Sequence, residues 1–201
     1  MKSVPYIELL GRSILRPSYQ KGELESLGSK LSDKFEKAFV ADMDGINKNR
    51  PQLDVIQGFC DELPTLYEGG VRYGSNVIDM LITGAERAVI GTATIVSLEE
   101  LRGAFKFSEN ITFKVDFRDG IVSFDPQIAG RAFLPLATDV REIGIDDFIV
   151  PAQLASEASE AKKQLGFSLG VIAPASESAR YEQLGADYLV SKDFRRMDGD
   201  E

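Results

Sequence analysis

The stretch KVDFRDGIVSF, residues 114–124, shows the pattern on which the fold prediction rests. An apolar run ends in a carboxylate, Asp116, and the chain then turns through Asp119 and Gly120 into a second apolar run. An Asp-Gly pair between two such runs favours a hairpin turn. A carboxylate at the end of an otherwise apolar strand either stabilises the turn or belongs to an active site.

Short apolar runs of this kind alternate with helical patterns along the chain. The predicted strands are residues 4–9, 37–42, 64–68, 87–92, 111–116, 146–151, 168–173 and 187–192. The predicted helices are residues 51–62, 74–84, 97–105, 134–143, 155–165 and 176–184. Strands that alternate with helices favour a parallel sheet, and eight of them predict an α/β fold of the (β/α)₈ TIM-barrel type. Since such barrels typically need ~250 residues, this one is short, and we expect the final helix, in residues 193–201, to be reduced or missing.

The two halves of the sequence also resemble each other at two places. GAERAVIGTATI at 84–95 resembles GADYLVSKDF at 185–194, and YIELLGRSIL at 6–15 resembles KVDFRDGIVS at 114–123, which places Glu8 opposite Asp116. In both copies of the second pair, an apolar strand ends in a carboxylate that is followed by a turn. The echoes predict one domain over residues 1–201, built from duplicated half-barrels at about 1–105 and 106–201.

Composition limits the classes of function. A net charge of -9 and a pI of about 4.7 argue against nucleic acid or an anionic membrane as a partner. The single cysteine, Cys60, lies in an amphipathic helical pattern, which indicates a core thiol, and no disulfide framework is possible. The sequence shows no signal peptide and no long apolar run, so we expect a cytoplasmic protein. Because the chain has no histidine, proton transfer falls to Asp, Glu, Lys, Tyr or Cys60.

Carboxylates gather where the predicted strands end. In a TIM barrel the carboxyl ends of the strands line the active-site mouth. Glu8 and Asp116 end the first and fifth predicted strands, on opposite sides of the barrel. Such a facing pair suits an isomerisation in which one carboxylate removes a proton and the other supplies one. The alternative is that these carboxylates cap helices or bind loop amides.

Two glycine-containing turns predict half of a phosphate cradle. YEGGVR at 67–72 and IGT at 90–92 end adjacent strands, and their amides, arginine and hydroxyl suit an anion. The candidate phosphate-binding residues are Gly69, Gly70, Arg72, Gly91 and Thr92. Asp42 and Asp44 have the spacing of the start of a calcium loop but lack the glycine and the final glutamate of an EF-hand, so we predict neither a metal nor a cofactor.

Four motifs, in order along the chain, resemble one family. FVADMDG at 39–45, EGGVR at 68–72, LITGAERAVIGT at 81–92 and KVDFRDG at 114–120 resemble the ribotide isomerases of histidine biosynthesis and their relatives. The resemblance implies a half-barrel-duplicated TIM barrel that converts an aminoaldose into an aminoketose by an Amadori rearrangement. It implies that Glu8 is the general base and Asp116 the general acid, and that Asp42 and Asp44 contact the substrate.

The sequence also departs from that family. Glu8 replaces an aspartate, and Glu68 stands where the first glycine of a turn is usual. After strands seven and eight the chain has APASES at 173–178 and VSKDF at 190–194, where the family has glycine-containing turns, and Pro174 has no amide hydrogen. Three hypotheses follow. The protein is an isomerase of a phosphorylated, sugar-containing metabolite that is smaller and carries one phosphate, or it is the full histidine-pathway isomerase. The third hypothesis is a non-catalytic relative that binds phosphometabolites or serves as a scaffold.

Overall fold

The computed structural model describes residues 1–16 and 24–193. Within these residues the chain forms nine strands: β1 (Lys2–Leu10), β2 (Ser13–Arg16), β3 (Ala38–Asp42), β4 (Thr65–Glu68), β5 (Arg87–Gly91), β6 (Ile111–Lys114), β7 (Asp147–Pro151), β8 (Ser168–Ile172) and β9 (Tyr188–Ser191). All except β2 pair in parallel in the order β1-β3-β4-β5-β6-β7-β8-β9. Because β9 also pairs with β1, the sheet closes into the predicted eight-stranded barrel.

Helices follow the barrel strands. They are α1 (Leu24–Ser32), α2 (Met43–Lys48), α3 (Leu53–Glu62), α4 (Asn76–Ile82), α5 (Leu98–Phe107), α6 (Phe133–Ile143), α7 (Ala155–Leu165) and α8 (Ser178–Gln183). The eight predicted strands and six predicted helices are confirmed, whereas β2, α1 and α2 were not predicted. The expectation of a reduced final helix concerns residues that lie outside the described ones, apart from Asp193.

The barrel strands bury both of their faces, and this produces two apolar layers. A small cluster fills the barrel interior and contains Val4, Tyr6, Phe39, Ala41, Leu66, Val89, Ile149 and Val190. A larger one packs the outer strand faces against the helices and contains, for example, Ile7 of β1 with Leu24 and Leu27 of α1. Alternation of side chains along β1 therefore points Tyr6 and Glu8 into the barrel and Ile7 outward.

The two echoed strands, β1 and β6, are each followed by an antiparallel return of the chain. After β1 the return is the hairpin with β2, in which Leu10 pairs with Ser13. After β6 the predicted hairpin is reduced to a single bridge between Phe117 and Ile121. The turn is tight because Asp119 adopts a left-handed φ of 55° and the Val122 amide donates to the Asp116 carbonyl at 2.8 Å. The shared return agrees with duplicated half-barrels, which stay a prediction.

Transmembrane helices are absent from the described residues, since none of their helices has both the length and the apolarity needed to cross a bilayer.

Candidate active site

The carboxyl end of the barrel gathers charged side chains from strands that are distant in sequence. Glu8 lies near the end of β1, Glu68 ends β4, and Lys114 ends β6 with Asp116 two residues beyond it. Strands β1 and β6 lie on opposite sides of the barrel, since β3, β4 and β5 separate them on one side and β7, β8 and β9 on the other. The predicted placement of Glu8 and Asp116 across the barrel therefore agrees with the strand order.

Glu68, Lys114 and Asp116 form one group, called here the carboxylate–lysine cluster. The Lys114 Nζ atom lies 2.8 Å from Glu68 Oε1 and 2.5 Å from Asp116 Oδ1. The exposed fraction of the side chain is 1% for Glu68, 11% for Lys114 and 24% for Asp116, so the cluster runs from the barrel interior towards solvent. Asp116 is the member of the cluster that is best placed to meet a molecule at the mouth.

Gly91 makes room for this cluster. It ends β5, the strand between β4 and β6. A Cβ atom at Gly91 would lie 2.8 Å from Asp116 Oδ2 and 2.9 Å from Glu68 Oε1, which is closer than carbon and oxygen normally approach. The missing side chain therefore lets charged groups from two non-adjacent strands meet.

Burial and charge together set the protonation of the cluster. Loss of hydration on burial raises the pKa of Glu68 to about 7, and the ammonium of Lys114 offsets only part of that effect. The second Glu68 oxygen, Oε2, is buried without a hydrogen-bond partner. Burial also opposes the charge on Lys114, but the carboxylates of Glu68 and Asp116 outweigh it and raise the pKa of Lys114. Lys114 is therefore a cation, while Glu68 exchanges its proton near neutral pH.

A second ion pair lies on the other side of the interior. Lys192, just after β9, places its Nζ atom 2.8 Å from Glu8 Oε1 and 4.3 Å from the centre of the Tyr6 ring. Burial raises the pKa of Tyr6, and charges on Glu68, Lys114, Glu8 and Asp116 act on its hydroxyl as well. Since charges from both groups act on Tyr6, the Glu8 pair and the carboxylate–lysine cluster share one interior.

Asp116 is held by the loop that follows β5. Its carboxylate accepts a hydrogen bond from the Ala93 amide at 3.1 Å, and its own amide donates to the Thr92 hydroxyl at 2.9 Å. Thr92 is buried, and its hydroxyl therefore serves to position Asp116. In this arrangement the Asp116 carboxylate accepts from both Lys114 and Ala93.

Asp42 and Asp44, the predicted substrate contacts, are bound by the protein itself. Asp42 is fully buried and caps α2, accepting the amides of Asp44 at 3.0 Å and Gly45 at 3.1 Å. Its other oxygen accepts the Gln52 amide and, at 2.9 Å, the Tyr67 hydroxyl. Both oxygens of Asp42 are thus engaged in holding the start of α2 and the loop after it, and substrate contact by Asp42 stays a prediction.

Asp44 is the other carboxylate of this motif. Lys48, at 2.8 Å, and the Gly11 amide donate to it, and both contacts hold the pKa of the Asp44 carboxyl below its usual range. The described residues contain no group of three or more Asp, Glu or Cys side chains arranged to hold a metal ion. Substrate contact by Asp44 stays a prediction.

Arg72 of the predicted phosphate cradle also forms hydrogen bonds within the protein. The Arg72 guanidinium donates to the carbonyl of Gly45 at 3.0 Å and to those of Ile46 and Gly70. Gly70 has a φ of 76°, and a Cβ atom there would collide with the Gly45 carbonyl. Arg72 therefore braces the loop after β4 against α2. Anion binding by Gly69, Gly70, Arg72, Gly91 and Thr92 stays a prediction.

Replacing Asp42 with alanine is expected to lower the free energy of unfolding by at least about 2 kcal/mol, because the cap of α2 is lost and buried donors lose their acceptor. Urea denaturation measures the change. Asp54→Ala is the matched control, since the Asp54 carboxylate is exposed and forms a surface pair with Arg12. We expect a change below about 0.5 kcal/mol there. Equal losses in the two variants would contradict the capping role.

Lys114 and Tyr6 were not predicted as members of the site, although Lys114 lies in the motif KVDFRDG and Tyr6 in YIELLGRSIL. Alternation along β6 is the signal that could have found Lys114. Thr112, Lys114 and Asp116 share one face of the predicted strand 111–116, and Asp116 was expected to line the active-site mouth. A lysine two residues before an inward carboxylate therefore also points inward.

Comparison with known proteins identifies the family. The model of the histidine biosynthesis protein family matches residues 19–152. A relative from Chloroflexus aggregans is 37% identical over 90 residues, covering 43% of this chain and 37% of the relative. One from Desulforamulus reducens is 28% identical over 115 residues, covering 53% and 46%, and one from Listeria monocytogenes is 28% identical over 116 residues, covering 55% and 48%.

All three relatives carry the name 1-(5-phosphoribosyl)-5-((5-phosphoribosylamino)methylideneamino) imidazole-4-carboxamide isomerase. The chain spans less than half the length of each of them. The family model nevertheless covers most of the chain, and the barrel closes as the resemblance implied. The chain therefore belongs to the histidine biosynthesis protein family.

Proposed function

We propose that the protein is an isomerase that converts the aminoaldose form of a phosphorylated, sugar-containing metabolite into its aminoketose form. The observation that carries the proposal is the placement of Glu8 and Asp116 on opposite strands around one interior that contains Tyr6. Three relatives named as isomerases of a substrate with two phosphoribosyl groups support the reaction class.

The reaction needs an acid and a base on different sides of the sugar. An Amadori-type rearrangement opens the ring by protonating its oxygen and removes the proton on C2. A proton then adds to C1 while the C2 hydroxyl loses its proton and becomes the ketone, so no net proton is gained or lost. Asp116, the more exposed carboxylate, would protonate the ring oxygen, and Glu8 would remove the proton from C2. The Glu8 side chain is 11% exposed, and its Oε1 atom pairs with Lys192. Tyr6 and Phe39, stacked with ring centres 5.0 Å apart, form an apolar part of the barrel interior.

The loops that would bind phosphate at the barrel mouth are expected to favour a substrate with one phosphate. The loop after β8 contains Pro174, and the Ala175 amide that follows it already donates to Asp193 at 2.8 Å. A phosphate at that loop would therefore find few free amides, and the proposed cradle after β4 and β5 would be the principal anchor. The substrate class is thus a smaller phosphorylated sugar derivative than the one named for the relatives.

A non-catalytic relative, either a phosphometabolite binder or a scaffold, is the second candidate. The engagement of Arg72 and Asp42 with the protein's own backbone favours a scaffold, because it gives both side chains a role in the fold. The cluster of buried charges argues for catalysis, since taking charges out of water is costly and a pure scaffold has no need of them.

An assay with the doubly phosphorylated ribotide of the named relatives tests the proposal. We expect measurable turnover with a catalytic efficiency below about 10⁴ M⁻¹s⁻¹, because only one end of the substrate is anchored. Glu8→Asp, which restores the family's residue, should raise the efficiency. Efficiency at or above that value would contradict the single-phosphate preference, and no turnover with this ribotide or its singly phosphorylated analogues would favour the binding relative.

A further inference from the structure

Glu68 is the member of the carboxylate–lysine cluster that the proposed function does not use. Its side chain is 1% exposed, so no substrate reaches it. Oε1 accepts from Lys114 at 2.8 Å, whereas Oε2 is buried without a partner. An ionised carboxylate has two acceptor oxygens to satisfy, so an orphaned oxygen fits better with a protonated carboxyl.

Charged and polar groups from three parts of the barrel act on Glu68 or share its surroundings. Strand β6 contributes Lys114, the segment after it contributes Asp116, and the segment after β9 contributes Lys192. Strand β1 contributes Tyr6, on which the charges of Glu68 and Glu8 both act. On the flanking strands, β3 places Ala41 beside Glu68 and β5 ends in Gly91. Lys114 is the one cation that touches Glu68 among these groups, and Asp116 competes for it.

The charges in the cluster do not balance when both carboxylates are ionised. Two carboxylates and one ammonium leave a net charge of minus one in a largely buried space, which is unfavourable. One extra proton makes the cluster neutral. Two carboxylates on a common partner share such a proton as a unit, and its position between them depends on small changes in the surroundings.

We propose that Glu68 stores the proton that Asp116 supplies during isomerisation, and that Lys114 passes it between the two carboxylates. In the resting cluster Glu68 carries the proton, Lys114 is an ammonium and Asp116 is a carboxylate. Lys114 gives one N–H proton to Asp116 and takes the proton of Glu68, so one N–H bond breaks and one forms. Asp116 then transfers its proton to the sugar oxygen, and Glu68 is left as a carboxylate. A proton from solvent returns to Glu68 by the same route, through the more exposed Asp116 and then Lys114.

This role rests on the proposed function, but the stored proton can be measured without any substrate. NMR of the full chain labelled with isotope in the glutamate carboxyl carbons follows each titration, and Glu68→Gln identifies the signal. We expect Glu68 to titrate at about 7, not near the ordinary 4.5. In Asp116→Asn the titration should move to lower pH, because the competing anion is gone, and in Lys114→Met it should move to higher pH. Ordinary titration of Glu68, or no response to Asp116→Asn, would overturn the proposal.

The rate measurement addresses delivery of the proton. In the wild type, kcat should fall as the pH rises through about 7, because Glu68 loses the stored proton. In Glu68→Gln, kcat should drop with little change in KM, and this fall should disappear from the pH profile. Asp147→Asn is the control, since Asp147 is another buried carboxylate with a raised pKa but lies at the opposite end of the barrel. Its pH profile should match the wild type.

The NMR titration and the pH profile of kcat distinguish the stored proton from the proposed isomerase activity. A coupled titration near neutral pH without turnover on any phosphorylated aminoaldose supports the stored proton and rejects the isomerase. Turnover whose alkaline fall persists in Glu68→Gln supports the isomerase and rejects the store.

Discussion

Lys114→Met is expected to lower the free energy of unfolding by about 3–5 kcal/mol at alkaline pH, because it leaves Glu68 and Asp116 without their shared cation. The loss should shrink with acidification. The pKa of Glu68 is raised in the folded protein, so the folded state binds the proton more tightly than the unfolded chain between 4.5 and about 7. This proton binding stabilises the folded state fully below pH 4.5, and the stabilisation is lost as the pH rises through about 7, the pKa of Glu68 in the folded protein. Protonated Glu68 needs no cation, so the variant should suffer least in acid.

Urea denaturation at about pH 5 and about pH 8 measures both effects. The double variant Lys114→Met with Glu68→Gln should recover much of the loss, since the amide carries no charge to compensate. Lys163→Met is the matched surface control, because Lys163 pairs with Glu160 in an exposed position and should contribute below about 0.5 kcal/mol. A loss of the same size at both pH values would show that Lys114 contributes through packing and not through charge.

Asp116→Asn is expected to reduce turnover by about 10²- to 10⁴-fold, the range that general acid catalysis contributes. Asparagine has nearly the same shape and keeps an acceptor for Lys114, so the melting temperature should change little. Asp119→Asn controls for the local turn: Asp119 is exposed, and its left-handed φ of 55° is one that asparagine also adopts readily. Retained turnover in Asp116→Asn, together with a large fall in stability, would show that Asp116 is a structural turn residue.

The barrel itself was predictable because its signal is local. Each barrel strand is a short apolar run, and strands such as β5 and β8 are buried on both faces along most of their length, so hydrophobic runs alone locate them. The helix α2 escaped prediction because it has only six residues, MDGINK, with a glycine inside. It forms because Asp42 caps it, and that carboxylate had been interpreted as a substrate contact.

The function of individual polar residues was harder to predict because it depends on contacts distant in sequence. Arg72 was predicted to grip an anion, and the chain gives no local sign that the carbonyls of Gly45 and Ile46 lie within its reach. Glu68 was noticed only as a departure from a glycine turn. The pKa of Glu68 is raised by its burial in the barrel and, to a smaller extent, by the charge of Asp116, which is 48 positions later in the chain. The hydrophobic pattern of a sequence predicts which residues are buried, but it does not predict which polar atoms come into contact in the fold.

The absence of a side chain at Gly91 offers a way to find other chains with the same chemistry. Any side chain at position 91 would occupy the space where the Glu68 and Asp116 oxygens lie. A glutamate at the end of the third barrel strand and a lysine at the end of the fifth therefore require a glycine at the end of the fourth. The glutamate, the glycine and the lysine form a signature that can be searched for in sequences alone. In this chain, 23 positions separate the glutamate from the glycine and 23 separate the glycine from the lysine. Family members that carry a larger residue on the fourth strand cannot assemble the trio, and we expect them to lack the glutamate or the lysine as well.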